Sequence, residues 1–184
     1  MRKINWASAG GLLLALAVAP LAVHADDAPD SGPAASAPQR EQDLVGILMD
    51  ARKQYQTSKT ANPAADARMT MQMNVIGFMR QSQVADNWIG TVKTRGVTPE
   101  GKAYITIEIG DNITVSTWTS QRDDLDSGTL IRPNTPLFAT AQQAKLGSKI
   151  VFSGTILKSV LAADDDMVLR PQFIARFSAL KTTQ

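Results

Sequence analysis

The side chains able to do chemistry in this chain are few. Residues 104–118 carry Tyr104, Thr106 and Glu108, then Thr114, Ser116 and Trp118, with Arg122 just beyond. Two aromatic rings among hydroxyls, a carboxylate and a guanidinium suit stacking and hydrogen bonding along an extended ligand: a glycan, a peptide or a single nucleic-acid strand. A second group, Met69, Met71 and Met73, offers the soft thioethers that select Cu(I). Acidic side chains gather at Asp123, Asp124 and Asp126, and again at Asp164, Asp165 and Asp166.

Each group also has a plainer explanation. Tyr104 and Trp118 can be a cross-strand aromatic pair covered by a helix. On a helix Met71 points away from Met69 and Met73, and core methionines are common. The acidic groups fit solvated loops. Counted from Asp123, the third calcium-loop position is Leu125 and the twelfth is Asn134, so the EF-hand pattern fails. A carboxylate pair for glycoside hydrolysis would have to be drawn from Glu100, Glu108 and these aspartates, and no spacing favours one pair.

The N-terminus sharpens what is excluded. Arg2 and Lys3 precede an apolar run at 12–21, and Val23-His24-Ala25 has the small-x-small form of a signal-peptidase site. The expected product is an exported, periplasmic chain cleaved after Ala25, with no stable membrane span after cleavage. Without cysteine, a lipid anchor on that residue is ruled out. Cleavage also removes the sole histidine, His24. A Ser-His-Asp triad, a thiol nucleophile and a zinc site on imidazole or thiolate are then unavailable. The 19 basic residues become 17, against 17 acidic ones, so the mature chain is formally neutral. A neutral chain with Glu108 on the proposed face is a poor nucleic-acid binder. No P-loop, dinucleotide glycine motif or nucleophile elbow is present. The expectation is a non-enzymatic protein without a cofactor.

The elements that must position these residues follow from periodicity. Residues 26–39, rich in Ala, Pro, Ser and Asp, read as a disordered linker. Residues 40–83 read as two helices. In the first, Leu44, Ile47, Leu48, Ala51 and Tyr55 form one stripe, with Arg40, Glu41, Arg52 and Lys53 largely off it. That stripe is the candidate partner surface if it does not pack on the rest of the chain. The second begins at an Asn62 cap followed by Pro63. Its main apolar face is Met69, Met73, Ile76 and Met79, widened by Met71, Val75 and Phe78, which implies burial on more than one side.

Residues 86–184 read as a barrel. The first strand, 87–94, contains Gly90, a mark of a bulge, a bend or a close backbone approach. Ile105, Ile107 and Ile109 alternate with polar residues, as do Ile113, Val115 and Thr117. A three-residue turn at 110–112 would pair Ile109 with Ile113, Ile107 with Val115 and Tyr104 with Trp118. Thr135 and Pro136 signal a helix that Gly147 stops. Strands at 149–161, with Ile150, Phe152 and Ile156 on one face, and at 172–180, with Phe173, Ala175, Phe177 and Ala179 on one face, follow, joined by an acidic turn at 162–167. The order is strand, strand, strand, helix, strand, strand. With Trp88-Ile89-Gly90-Thr91-Val92 entering, the helix from Thr135-Pro136 to Gly147, and Phe152-Ser153-Gly154 in the fourth strand, it resembles the OB-fold superfamily, and its periplasmic members in having a leader. The resemblance implies an α+β, mainly β, five-stranded Greek-key barrel with a helix between strands three and four, preceded here by two helices. It also implies ligand binding across strands two and three. Together these features predict a binding or interaction module, with another envelope protein as the expected partner and a small ligand, glycan or Cu(I) as the alternative.

Overall fold

The computed structural model describes residues 36–59, 62–160 and 166–183. The expected leader and the expected linker up to residue 35 lie outside them, as do residues 161–165 of the expected acidic turn. The elements are α1 (Gln39–Thr57), α2 (Pro63–Gln81), β1 (Val84–Val97), β2 (Ala103–Gly110), β3 (Ile113–Ser116), α3 (Pro136–Gln143), β4 (Lys149–Val160), α4 (Asp166–Leu169) and β5 (Gln172–Thr182). The strands close into a barrel in the order β1-β2-β3-β5-β4. Only β3 and β5 pair in parallel; the other neighbours are antiparallel. The chain is thus α+β, a closed five-stranded barrel with two helices before it and one between β3 and β4.

The barrel forms because inward positions recur at every second residue. Ile105, Ile107, Ile113, Val115, Ile150, Phe152, Ile156 and Phe173 are all buried, each large side chain contributing about 1.5–3 kcal/mol relative to exposure. Trp88, Phe152 and Phe177 meet edge to face, with centroids 6.1 and 5.4 Å apart. Of the three readings open for Gly90, close approach is the one that requires glycine. A Cβ there would lie 2.3 Å from Ile107 Cγ2 and 2.7 Å from the Glu108 carbonyl oxygen.

Register differs from the expectation at two places. The β2–β3 turn has two residues, Asp111 and Asn112, and a bulge between Glu108 and Gly110 absorbs Ile109. Ile107 still faces Val115, but Ile113 faces Gly110. Asn112, at φ 54°, supplies the left-handed turn residue. In β5 a shift opposite Ser153 and Gly154 reverses the alternation, so Leu180 takes the buried place expected for Ala179. Gly154 accommodates the crossing, since a Cβ there would sit 2.4 Å from the Arg176 carbonyl oxygen.

The helices cover the barrel ends. Thr135 caps α3, accepting from Phe138 N at 3.1 Å. The helix ends at Gln143, and Gly147 (φ 80°) serves the turn into β4 rather than the helix terminus. Gln142 Nε2 of α3 donates to Gly96 O, whose residue pairs with Tyr104 at the start of β2. At the other end of β2, Val45 of α1 lies over Gly110. Leu44, Leu48, Met71, Val75 and Phe78 join the barrel residues in one core cluster. Where an acidic turn was expected, residues 166–169 form the single-turn helix α4.

Candidate functional site

The aromatic face of β2–β3 does not assemble as an open platform. Tyr104 lies against Gly96 of β1, where its ring fills the space of the missing Cβ. Glu108 is ion-paired with Lys93 of β1 at 2.9 Å. Trp118 lies beyond the end of β3 and turns the other way. Its backbone N–H donates to Thr129 Oγ1 at 2.9 Å, its Nε1 donates to Ser127 Oγ at 3.2 Å, and Lys158 Nζ of β4 stands 4.9 Å above its ring. Among the described residues no ring contact joins Tyr104 to Trp118. Ser116 is buried and its Oγ accepts from Gln172 Nε2 at 2.9 Å. Thr106 and Thr114 are half-buried, and Arg122 is exposed in the loop after β3.

The first-helix stripe packs within the chain, so the condition on which it would be a partner surface is not met. Leu44, Leu48 and Ala51 are buried within the chain, with Ile47 and Tyr55 partly covered, so the stripe is core and not an open partner surface. The polar residues placed off the stripe are its anchors. Glu41 is buried and accepts from Ile89 N at 2.7 Å. Arg52, also buried, donates to the carbonyls of Asp111 at 2.9 Å and Leu169 at 2.7 Å. Arg40 Nη2 donates to Phe78 O at 2.9 Å and to Ser82 O, with its guanidinium 4.0 Å from the Phe78 ring. Burial pushes the Glu41 carboxyl up to about 7, against the opposing pull of the Ile89 N–H and the Lys149 charge.

The methionines do not converge either. Met71 is 2% exposed, while Met69 and Met73 are 57% and 61% exposed on another side of α2. The three-thioether copper site is therefore not formed. The loop aspartates serve the loop. Asp124 is buried, and its carboxylate accepts from Thr129 N at 2.5 Å, Thr129 Oγ1 at 2.7 Å and Leu130 N at 3.2 Å. Asp123 accepts from Ser120 Oγ at 2.6 Å. Among the described residues no three His, Cys, Asp or Glu side chains come together as a metal-holding group.

What the fold does assemble is a groove of about 600 Å³ between α2 and the β4 and β5 segments beside it. Val75, Ile76 and Met79 form its helix wall; Leu157 and Phe173 form the barrel wall. Arg80 and Lys158 also line it, and both are exposed. Lys158 also stands over the ring of Trp118, which is not itself part of the lining. Pro171 and Gln172 complete the far side, and Gln172 is held by Ser116. Apolar walls with a few polar groups at this volume can hold a small amphiphile or a segment of another chain.

The sequence signal for this site was the breadth of apolar residues on α2. That breadth implied burial on more than one side, whereas one side is buried within the chain. The buried side is Ala67, Met71, Val75 and Phe78, and the expected main face of Met69, Met73 and Ile76 is open. Comparisons with protein-family models, curated proteins and solved structures return no match for the chain.

Proposed function

We propose that the chain is an exported, periplasmic, OB-fold-like binding module without catalytic activity, which engages another envelope protein through the groove between α2 and β4–β5. The observation that carries this is the groove itself, walled by Val75, Ile76 and Met79 of α2 and by Leu157 and Phe173 of the barrel. Apolar grooves open at the surface mark interaction sites. Methionine adapts to varied partner shapes. The leader pattern supports export, and the helix between β3 and β4 of a closed barrel supports the OB-fold-like description. Among the described residues no helix is long and apolar enough to cross a membrane.

Photo-crosslinking in intact cells tests the proposal. A crosslinking side chain at Gln83 or Ser159, on the groove, is expected to yield the same discrete protein adduct. Gln56 and Gln143, on α1 and α3, should not yield it, and Leu157→Arg should abolish it. Adducts that are absent, or equal at the control positions, overturn the proposal.

A small-ligand function is the second reading, favoured by a groove volume within the usual range for such sites. An anionic apolar dye, anilinonaphthalene sulfonate, would then bind the purified protein, quench or shift Trp118 emission, and lose affinity in Leu157→Arg. A flat titration removes this reading.

A further inference from the structure

Helix α2 is apolar on two opposed sides. The side holding Ala67, Met71, Val75 and Phe78 is spent on the core. The other carries Asp66, Met69, Met73, Ile76 and Arg80, spaced by three, four, three and four residues. That alternation keeps one seam on a straight face of a helix, and it is the pattern of helices that pair with helices. Met69, Met73 and Ile76 are 57%, 61% and 52% exposed. Gly77 beside them is exposed and has nothing within 4 Å of where a Cβ would stand, so another backbone can approach closely there.

We propose that this seam pairs with the same seam of a second copy of the chain, antiparallel, with Met73 at the two-fold axis. The charges select this occupant. Asp66 and Arg80 lie seven residues to either side of Met73. An antiparallel pair about Met73 sets Asp66 of each copy beside the partner's Arg80, once at each end. A parallel pair would set like charges together at both ends and align the helix dipoles unfavourably. The arrangement is isologous, so one surface completes itself. With the expected leader removed, the chain's own segment before the described residues is a poor competitor: residues 26–35 hold no apolar side chain larger than proline. The pairing goes beyond the groove and does not depend on its occupant, although Ile76 and Arg80 border both.

An interface built on one helix pair lies at the small end of stable interfaces, so dissociation in about the micromolar range is expected. Sedimentation equilibrium of residues 26–184 across that range should show a monomer–dimer equilibrium. Asp66→Arg and Arg80→Asp alone should each weaken it about tenfold, and the double exchange should restore it to within a few-fold. Met73→Glu should leave a monomer whose circular dichroism and melting temperature match the parent. Crosslinking adds the geometry. The chain has no cysteine, so Met73→Cys places one thiol per copy near the axis. A short bis-maleimide should join it. Arg80→Cys should not be joined, since those thiols would be separated by about 21 Å along the helix axis.

A monomer at every concentration overturns the proposal, including the case where another protein is captured on this seam. So does a dimer that survives Met73→Glu, or one whose double charge exchange fails to recover. Efficient crosslinking at both positions would mean a parallel pair and overturns the antiparallel one.

Discussion

Helices α1 and α2 are both 19 residues long and lie side by side over the same barrel, yet they are fixed by opposite means. Helix α1 has one apolar side and spends most of it on the core, and three of its polar residues, two of them buried, act as pins. Arg40 reaches α2, Glu41 reaches β1, and Arg52 reaches both the β2–β3 turn and α4. Helix α2 is held by apolar contact with the core and keeps a second apolar side for something else. A pinned helix has one allowed position, because each buried charge tolerates only the geometry that satisfies it. A helix with two apolar sides can serve the fold and a partner at once. That difference gives α1 a structural role and makes α2 the helix that carries the proposed partner surfaces.

The sharpest way to break the comparison is to truncate matching apolar residues on the two helices. Leu48→Ala opens a cavity in a fully buried position and should cost about 2–5 kcal/mol. Met73→Ala removes a mostly exposed side chain and should change monomer stability by about 0.5 kcal/mol or less. Urea denaturation at a concentration too low for association reads both. A cost for Met73→Ala like that for Leu48→Ala would place Met73 in the core and end the functional assignment of α2.

The pins of α1 give the next largest effect, through pH. The Glu41 carboxyl sits at about 7 in the folded chain, against 4.5 for the free group, chiefly because burial disfavours its charged form. The folded state therefore holds the proton more tightly than the unfolded state. Below about 4.5 the carboxyl is protonated in both states and nothing is lost; between 4.5 and 7 stability falls as pH rises; above 7 the full cost of the buried charge is present. Glu41→Gln has no proton to lose. Whatever fixed offset its amide introduces, the stability difference between variant and parent should move by about 2 kcal/mol in favour of the variant from pH 5 to pH 8. A difference that stays constant with pH would mean that Glu41 is not buried as a carboxylate against Ile89.

The same contrast explains what the sequence made legible. Strand alternation is a short-range pattern, and it located the inward isoleucines of β2 and β3, the phenylalanines of β4 and β5, and the pairing of Ile107 with Val115. Caps are local too, which is why Asn62-Pro63 and Thr135-Pro136 both open helices. What failed needed knowledge of neighbours. A two-residue turn with a bulge at Ile109 preserves the same core face as a three-residue turn, so periodicity could not separate them. On α2 nearly every side is apolar, and only the packed structure shows that Met71, Val75 and Phe78 go inward while Met69, Met73 and Ile76 stay out. On α1 the helical period itself carries Glu41 and Arg52 onto the edge of the Leu44–Leu48 stripe. They looked like solvent-facing charges because a charge is usually exposed unless something distant satisfies it. Only the helix wall of the groove left a trace in the sequence, as the breadth of apolar residues on α2; its other wall comes from residues 157 and 173, more than seventy positions away.

The smallest effect tests how α2 is held at its open end. Pro38 gives α1 no side-chain cap, whereas Asn62 Oδ1 accepts from Ala65 N at 3.2 Å and closes the first turn of α2. Asn62→Ala should cost about 1 kcal/mol, a fall of about 2–4 °C in melting temperature for a chain of this length. The loss should be local. Amide exchange should quicken at Ala65 and Asp66 and stay unchanged at Val75 and Phe78, which the core grips. Asp66 lies in that first turn, so fraying it should weaken self-association while Arg80, a full helix away, keeps its place. If exchange instead quickens evenly along α2, the helix is held as a single unit by the core. Its outer side would then have no independent freedom with which to meet a partner.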